Sequence, residues 1–181
     1  KIILEHHLNA RGDKDDRVLY MAWVNSHFQS GVKNLIDKAV NAFSQEVFAA
    51  VKPKGYSKVD ELPFDFVRRR LSVIVSDYQK EDKEHLLVCK GAVEEMLAIC
   101  TSVQENGENF PLDDAKRAEI IALANRYNRD GFRVLILASK RIHENDLKEQ
   151  YTIEDESDLV IEGLLTFLDP PKESAKEAIR A

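Results

Sequence analysis

The stretch Leu62-Pro63-Phe64-Asp65-Phe66-Val67-Arg68-Arg69-Arg70-Leu71-Ser72-Val73-Ile74-Val75 constrains the fold more than any other part of the chain. After Pro63 its residues alternate, which predicts a β-strand with Val67, Leu71, Val73 and Val75 on a core face. The opposite face then carries Phe66, Arg68, Arg70 and Ser72, an aromatic ring beside two guanidinium groups. Such a face suits a nucleotide, because a base stacks on a ring and phosphates pair with guanidinium forks. An edge strand whose solvated arginines discourage pairing with other chains is the alternative reading of the same residues.

Around this strand the pattern is mixed. Lys1 to Leu8 reads as a short strand, Gly12 to Asp16 as a turn, and Val18, Leu19, Ala22 and Trp23 as the stripe of an amphipathic helix. Ser30-Gly31 separates it from a second helix bearing Leu35, Ile36, Ala39, Val40 and Phe43, which continues to Val51 before Pro53-Lys54-Gly55 opens a loop over 52–62. The central strand turns at Asp77 to Lys83 and returns as His85 to Lys90, an antiparallel hairpin. A helix with Val93, Met96, Leu97 and Cys100 inward follows, then an Asn106-Gly107 hairpin and a helix from Asp113 or Asp114 to about Asn128. Two apolar strands, Phe132 to Ser139 and Leu159 to Leu168, flank an acidic stretch, Glu144 to Asp158, that reads as a solvated loop without evident chemistry. The expected class is therefore α+β: an antiparallel, twisted sheet of six or seven strands flanked by helices, built on one core.

A net charge of −6 argues against a general nucleic-acid binder, whereas the local basicity at Arg68 to Arg70, Lys90 and Arg133 suits a small anionic ligand. Cys89 and Cys100 lack metal-ligand spacing, and adjacent His6 and His7 point to opposite sides of a strand, so no metal site is expected. The chain contains no signal peptide and no apolar run of membrane-spanning length, so contact with a membrane is not expected of it.

Four motifs in one order, Pro63-Phe64-Asp65-Phe66, Val88-Cys89-Lys90-Gly91-Ala92-Val93-Glu94, Asp130-Gly131-Phe132-Arg133 and Leu168-Asp169-Pro170-Pro171-Lys172, resemble the nucleotide-binding domain of P-type cation-transporting ATPases. The resemblance covers nearly the whole chain. Ser30-Gly31-Val32-Lys33-Asn34-Leu35-Ile36-Asp37-Lys38-Ala39 and Phe167 to Ala175 look like the bacterial magnesium-importing branch.

The resemblance implies a cytoplasmic domain of a bacterial inner-membrane pump, with residues 1–168 forming the nucleotide-binding domain and 169–181 the hinge and start of a phosphorylation domain. It implies that ATP, with magnesium as counter-ion, stacks its adenine on Phe66, that Asp37 reads the adenine amino group, and that Lys90 and Gly91 line the cavity. Arg68 and Arg133 would hold the phosphates. The phosphorylation and actuator domains of the same polypeptide are the implied partners, and nucleic acid is not one. Because the Asp-Lys-Thr-Gly-Thr-Leu-Thr motif that supplies the family's phosphorylated aspartate is not in this sequence, the chain is expected to bind ATP without hydrolysing it. Leu71, expected to face the core, stands where calcium and sodium pumps carry a lysine. A free-standing phosphotransferase lacks support, there being no GxxxxGK[ST] and no kinase motif set. The corresponding domain of another P-type cation pump, for calcium or protons, and a protein-interaction module using the arginine strand are the other readings.

Overall fold

The computed structural model describes residues 1–77 and 83–170. Most of the turn expected at Asp77 to Lys83, and the segment after Pro170, lie outside the described residues.

Among the described residues the centre is a mixed eight-stranded sheet. In chain order its strands are β1 (Ile3–Leu8), β2 (Tyr56–Leu62), β3 (Arg70–Asp77), β4 (His85–Ala92), β5 (Cys100–Glu105), β6 (Glu108–Pro111), β7 (Arg133–Ile142) and β8 (Leu159–Leu168). They lie in the order β2-β3-β4-β7-β8-β5-β6, and β1 shares with β5 the far side of β8. Every pairing is antiparallel except β5 with β8. The expected class holds, with more strands than expected and one parallel ladder.

The additional strand is β2, where a loop over 52–62 was expected. Its sequence, Tyr-Ser-Lys-Val-Asp-Glu-Leu, carries little of the apolar signal of a strand because β2 is the outermost strand on its side. Charged residues on such an edge discourage pairing with other chains. By covering β3, β2 also removes the edge that the interaction-module reading required.

Helices α1 (Asp16–His27), α2 (Leu35–Phe48), α3 (Val93–Ile99) and α4 (Asp114–Arg129) pack on the two faces. Three of them start at side-chain caps: Asp15 accepts from the Arg17 amide, Asn34 from the Asp37 amide, and Asp113 from the Lys116 amide. Each cap satisfies a donor that the first helical turn leaves unpaired. α2 ends at Phe48 with Ala49 left-handed, short of the expected Val51, and α4 ends where Gly131 (φ 95°) takes a backbone conformation that a side chain would resist.

Both sheet faces are buried. Under α1 and α2 lie Val73, Val75, Leu86, Val88, Leu137 and Leu165; under α3 and α4 lie Ile74, Leu87, Cys89, Ile136, Ala138 and Leu164. This corrects the expectation that β3 offers one face to the core and one to a ligand. Central strands with helices on both sides bury successive residues, so the run Val73-Ile74-Val75 is fully covered. Trp23 is core as expected, its ring stacked on Phe48 at 5.6 Å.

Candidate functional site

At one end of the sheet, on the α1/α2 side, the start of β3, the end of β4 and the start of β7 lie side by side, with Arg70 opposite Gly91 and Gly91 opposite Ile136. The N-terminus of α2 closes one flank and the turn between β2 and β3 closes the other. A groove of about 800 Å³ lies between them, lined by Leu35, Ile36, Phe64, Phe66, Arg69, Leu71, Lys90, Gly91, Arg133, Leu135 and Asp169 among others. That volume lies within the range of small-molecule and cofactor sites, roughly 300–1,000 Å³.

The groove brings together four of the six residues singled out from sequence: Phe66, Lys90, Gly91 and Arg133. Asp37 is adjacent, bonded to Lys90, and Arg68 is turned away. Two residues not singled out are present, Phe64 and Arg69. The Phe64 and Phe66 rings meet edge to face at 5.4 Å, and both are solvent-accessible, at 45% and 89%. The spacing Phe-x-Phe was the available sign that the two rings could act together.

Phe66 is not on a strand. Residues 66–68 form a turn and β3 begins at Arg70, after Arg69 adopts a left-handed φ of 53°. This breaks the alternation assumed from Val67 onward: Val67, expected in the core, is 92% exposed. Asp65 builds the turn by accepting from the amides of Val67 (2.8 Å) and Arg68 (2.6 Å) and, through its carbonyl, from the amide of Arg69 (2.8 Å). Such local bonding by Asp competes with extended structure.

The left-handed residue also separates the three arginines. Arg69 reaches the groove and bonds Glu95 at 3.3 Å, while Arg68 and Arg70 point to the other side of the sheet, onto Glu156. Arg68 pairs with Glu156 through Nε at 2.8 Å and with the Asp65 carboxylate through Nη1. Burial opposes its charge, but the bonds and charges of Glu156 and Asp65 more than offset this and raise its pKa. Arg68 is thus neutralised within the protein and does not line the groove, contrary to its expected role on phosphates. The acidic stretch read as lacking chemistry supplies the buried partner.

Lys90 is likewise not the mobile charge expected at the groove. It lies on the floor, with Nζ donating to Asn25 Oδ1 at 2.6 Å, Ser26 Oγ at 2.9 Å and the Asp37 carboxylate. Burial lowers the Lys90 pKa, and the Asp37 charge works against that shift. Asp37 also accepts from Ser26 Oγ at 2.8 Å, so α1, α2 and β4 meet at one buried ion pair. Gly91 borders the groove, yet its lack of a side chain is required by β3: a Cβ there would lie 2.5 Å from Arg70 Cβ and 2.7 Å from the Arg69 carbonyl oxygen. Leu71, expected in the core, is buried but faces the groove.

Arg133 is exposed at the start of β7 and, among the described residues, has no ion-pair partner, so its guanidinium remains available to an anion. Rings on one wall, a buried ion pair below and cations at Arg69 and Arg133 give the groove the chemistry that could hold a planar base joined to an anionic tail.

The chain belongs to the family described as P-type ATPase, cytoplasmic domain N, whose model matches residues 25–174. It is 47% identical over 180 residues to the magnesium-transporting ATPase, P-type 1, of Salmonella typhimurium strain LT2, and 44% identical over 181 residues to the protein of that name in Escherichia coli K12. These alignments cover 99% and 100% of this chain and 20% of each relative, so the chain spans about a fifth of their length. A calcium-transporting ATPase of Bacillus cereus is 29% identical over 126 residues, 70% of this chain and 13% of that protein. Among the described residues no helix is long and apolar enough to cross a membrane.

Proposed function

We propose that this chain carries ATP for a magnesium-transporting P-type ATPase, holding the nucleotide so that its terminal phosphate meets an aspartate on a phosphorylation domain of the same polypeptide. The observation that carries this reading is the convergence of the Phe64 and Phe66 rings with the exposed Arg133 guanidinium on one groove. The adenine packs against the rings, and Arg69 and Arg133 draw the phosphates with their magnesium counter-ion across the groove. The Lys90–Asp37 pair forms a polar floor against which the base edge is read.

The described residues offer binding and positioning. The barrier to phosphoryl transfer would fall through alignment with the acceptor when the cytoplasmic domains, the actuator among them, close on one another. Magnesium as cargo is supported by the likeness along the full chain to relatives of that name. The corresponding setting is the cytoplasmic side of a bacterial membrane.

Titration of the chain with MgATP, followed by amide NMR shifts, tests the reading. Saturable shifts are expected at Phe64, Phe66, Arg69, Lys90 and Arg133, with no release of phosphate. Shifts confined to other surfaces would refute it.

A further inference from the structure

The turn that carries both groove rings has almost no apolar burial to hold it, since Phe66 and Val67 are nearly fully exposed. It is held by polar contacts: the bonds of Asp65 to the amides of Val67, Arg68 and Arg69, and a second set that converges on the Arg68 side chain. Arg68 Nη2 donates to the carbonyls of Pro63 at 3.3 Å and Arg70 at 3.2 Å, and Nη1 to the Asp65 carboxylate. The same guanidinium is anchored from outside the turn by Glu156, whose side chain has no exposure. Glu156 receives Arg68 Nε at 2.8 Å, Arg70 Nε at 3.1 Å and Ser72 Oγ at 2.6 Å.

We propose that Glu156 is a positioning residue for nucleotide binding: from the loop ahead of β8 it clamps Arg68, and so presents the Phe64 and Phe66 rings to the groove from the opposite face of the sheet. The four charges of Asp65, Glu156, Arg68 and Arg70 balance, so the cluster exerts no net pull on phosphate and acts through geometry. A turn ordered before the ligand arrives spares binding the entropy of ordering it. Removing the carboxylate that pairs both arginines leaves the Arg70 charge uncompensated and Arg68 held by Asp65 within the turn but no longer tied to the sheet, which loosens the turn against the groove. The inference rests on the nucleotide reading above.

The test compares the wild-type chain with Glu156→Gln, each also carrying Phe64→Ala and Phe66→Ala, by MgATP titration and by backbone ¹⁵N order parameters of the free chains. Glu156→Gln is expected to lower the order of the Val67 and Arg68 amides and to weaken MgATP binding by about tenfold, since binding must then freeze two ring-bearing residues. In the background without rings the same substitution should change affinity by less than about twofold, the ordinary limit of additivity. A merely structural loss would persist in that background and overturn the proposal. Unchanged order at Val67 and Arg68, with affinity within about twofold of wild type, would also overturn it. A wild-type chain that binds no MgATP overturns both this inference and the proposed function, whereas failure of the Glu156 arm alone leaves the function standing. Should Glu156→Gln not fold, Arg68→Met, which keeps Glu156 paired with Arg70 and Ser72, carries the same expectations.

Discussion

Lys90 Nζ and the Asp37 carboxylate form an ion pair in which both side chains are almost completely buried, at 2% and 3% exposure, below the groove. Taking two charges out of water is offset only while both are present. Asp37→Ala leaves the lysine with neutral acceptors alone and should cost about 3–5 kcal/mol in urea unfolding. The double change Asp37→Leu with Lys90→Met should recover most of that loss while still impairing nucleotide binding. A loss under about 1 kcal/mol for Asp37→Ala would mean that the pair is more hydrated than the structure indicates.

Stacking of a base on an aromatic side chain contributes about 1–3 kcal/mol by alanine substitution. Phe64→Ala and Phe66→Ala should each weaken MgATP binding accordingly in calorimetric titration. Because Phe66 is almost fully exposed, its removal should leave the unfolding midpoint nearly unchanged. Equal loss of stability and affinity on Phe66→Ala would show that the ring acts in folding rather than in recognition.

Gly91→Ala places a methyl group against the β3 backbone and should destabilise the free chain by about 1–3 kcal/mol or more, as overpacking does. This separates two reasons for a glycine beside a ligand groove. If stability were unaffected and only MgATP affinity fell, the requirement would come from the ligand instead of the neighbouring strand.

His27 and His85 have pKa values below the ordinary 6.5, His85 through burial and His27 through burial together with the charges of Lys33 and Lys52. As pH falls below 6.5, the unfolded chain takes up these protons before the folded chain does. The stability they permit is whole above that value and is lost as pH falls through the folded-state pKa values. Urea midpoints should therefore decline as pH falls below about 6.5, and the decline should shrink in a His27→Gln, His85→Gln chain. A slope of undiminished size in that double variant would assign the effect to other groups.

Much of the scaffold was legible from residue order. The stripes of α1 and α2, the start of α4 at Asp113 or Asp114, the Asn106-Gly107 hairpin and the apolar runs of β7 and β8 are local signals, set by backbone geometry within a few residues. Phe66, Lys90, Gly91 and Arg133, which line the groove, were singled out through the motifs that carry the family resemblance. The strand β2 was not, since an outer strand is stabilised by its ladder to β3 and shows little apolar alternation of its own.

What the chain determines by itself is which segments become helices and strands and which small set of ring and cation residues is available for a ligand, because those depend on neighbours close in sequence. Which arginine faces the groove, and which is consumed within the protein, was decided only in three dimensions. The left-handed backbone at Arg69 divides a run of three identical side chains between two faces, and Glu156, 88 residues from Arg68, together with Asp65 neutralises the pair on the far side. Likewise Lys90 and Asp37 read as two independent polar residues until α2 and β4 pack together and remove both from water. Pairing of buried charges depends on tertiary distance, so their roles are set by the fold.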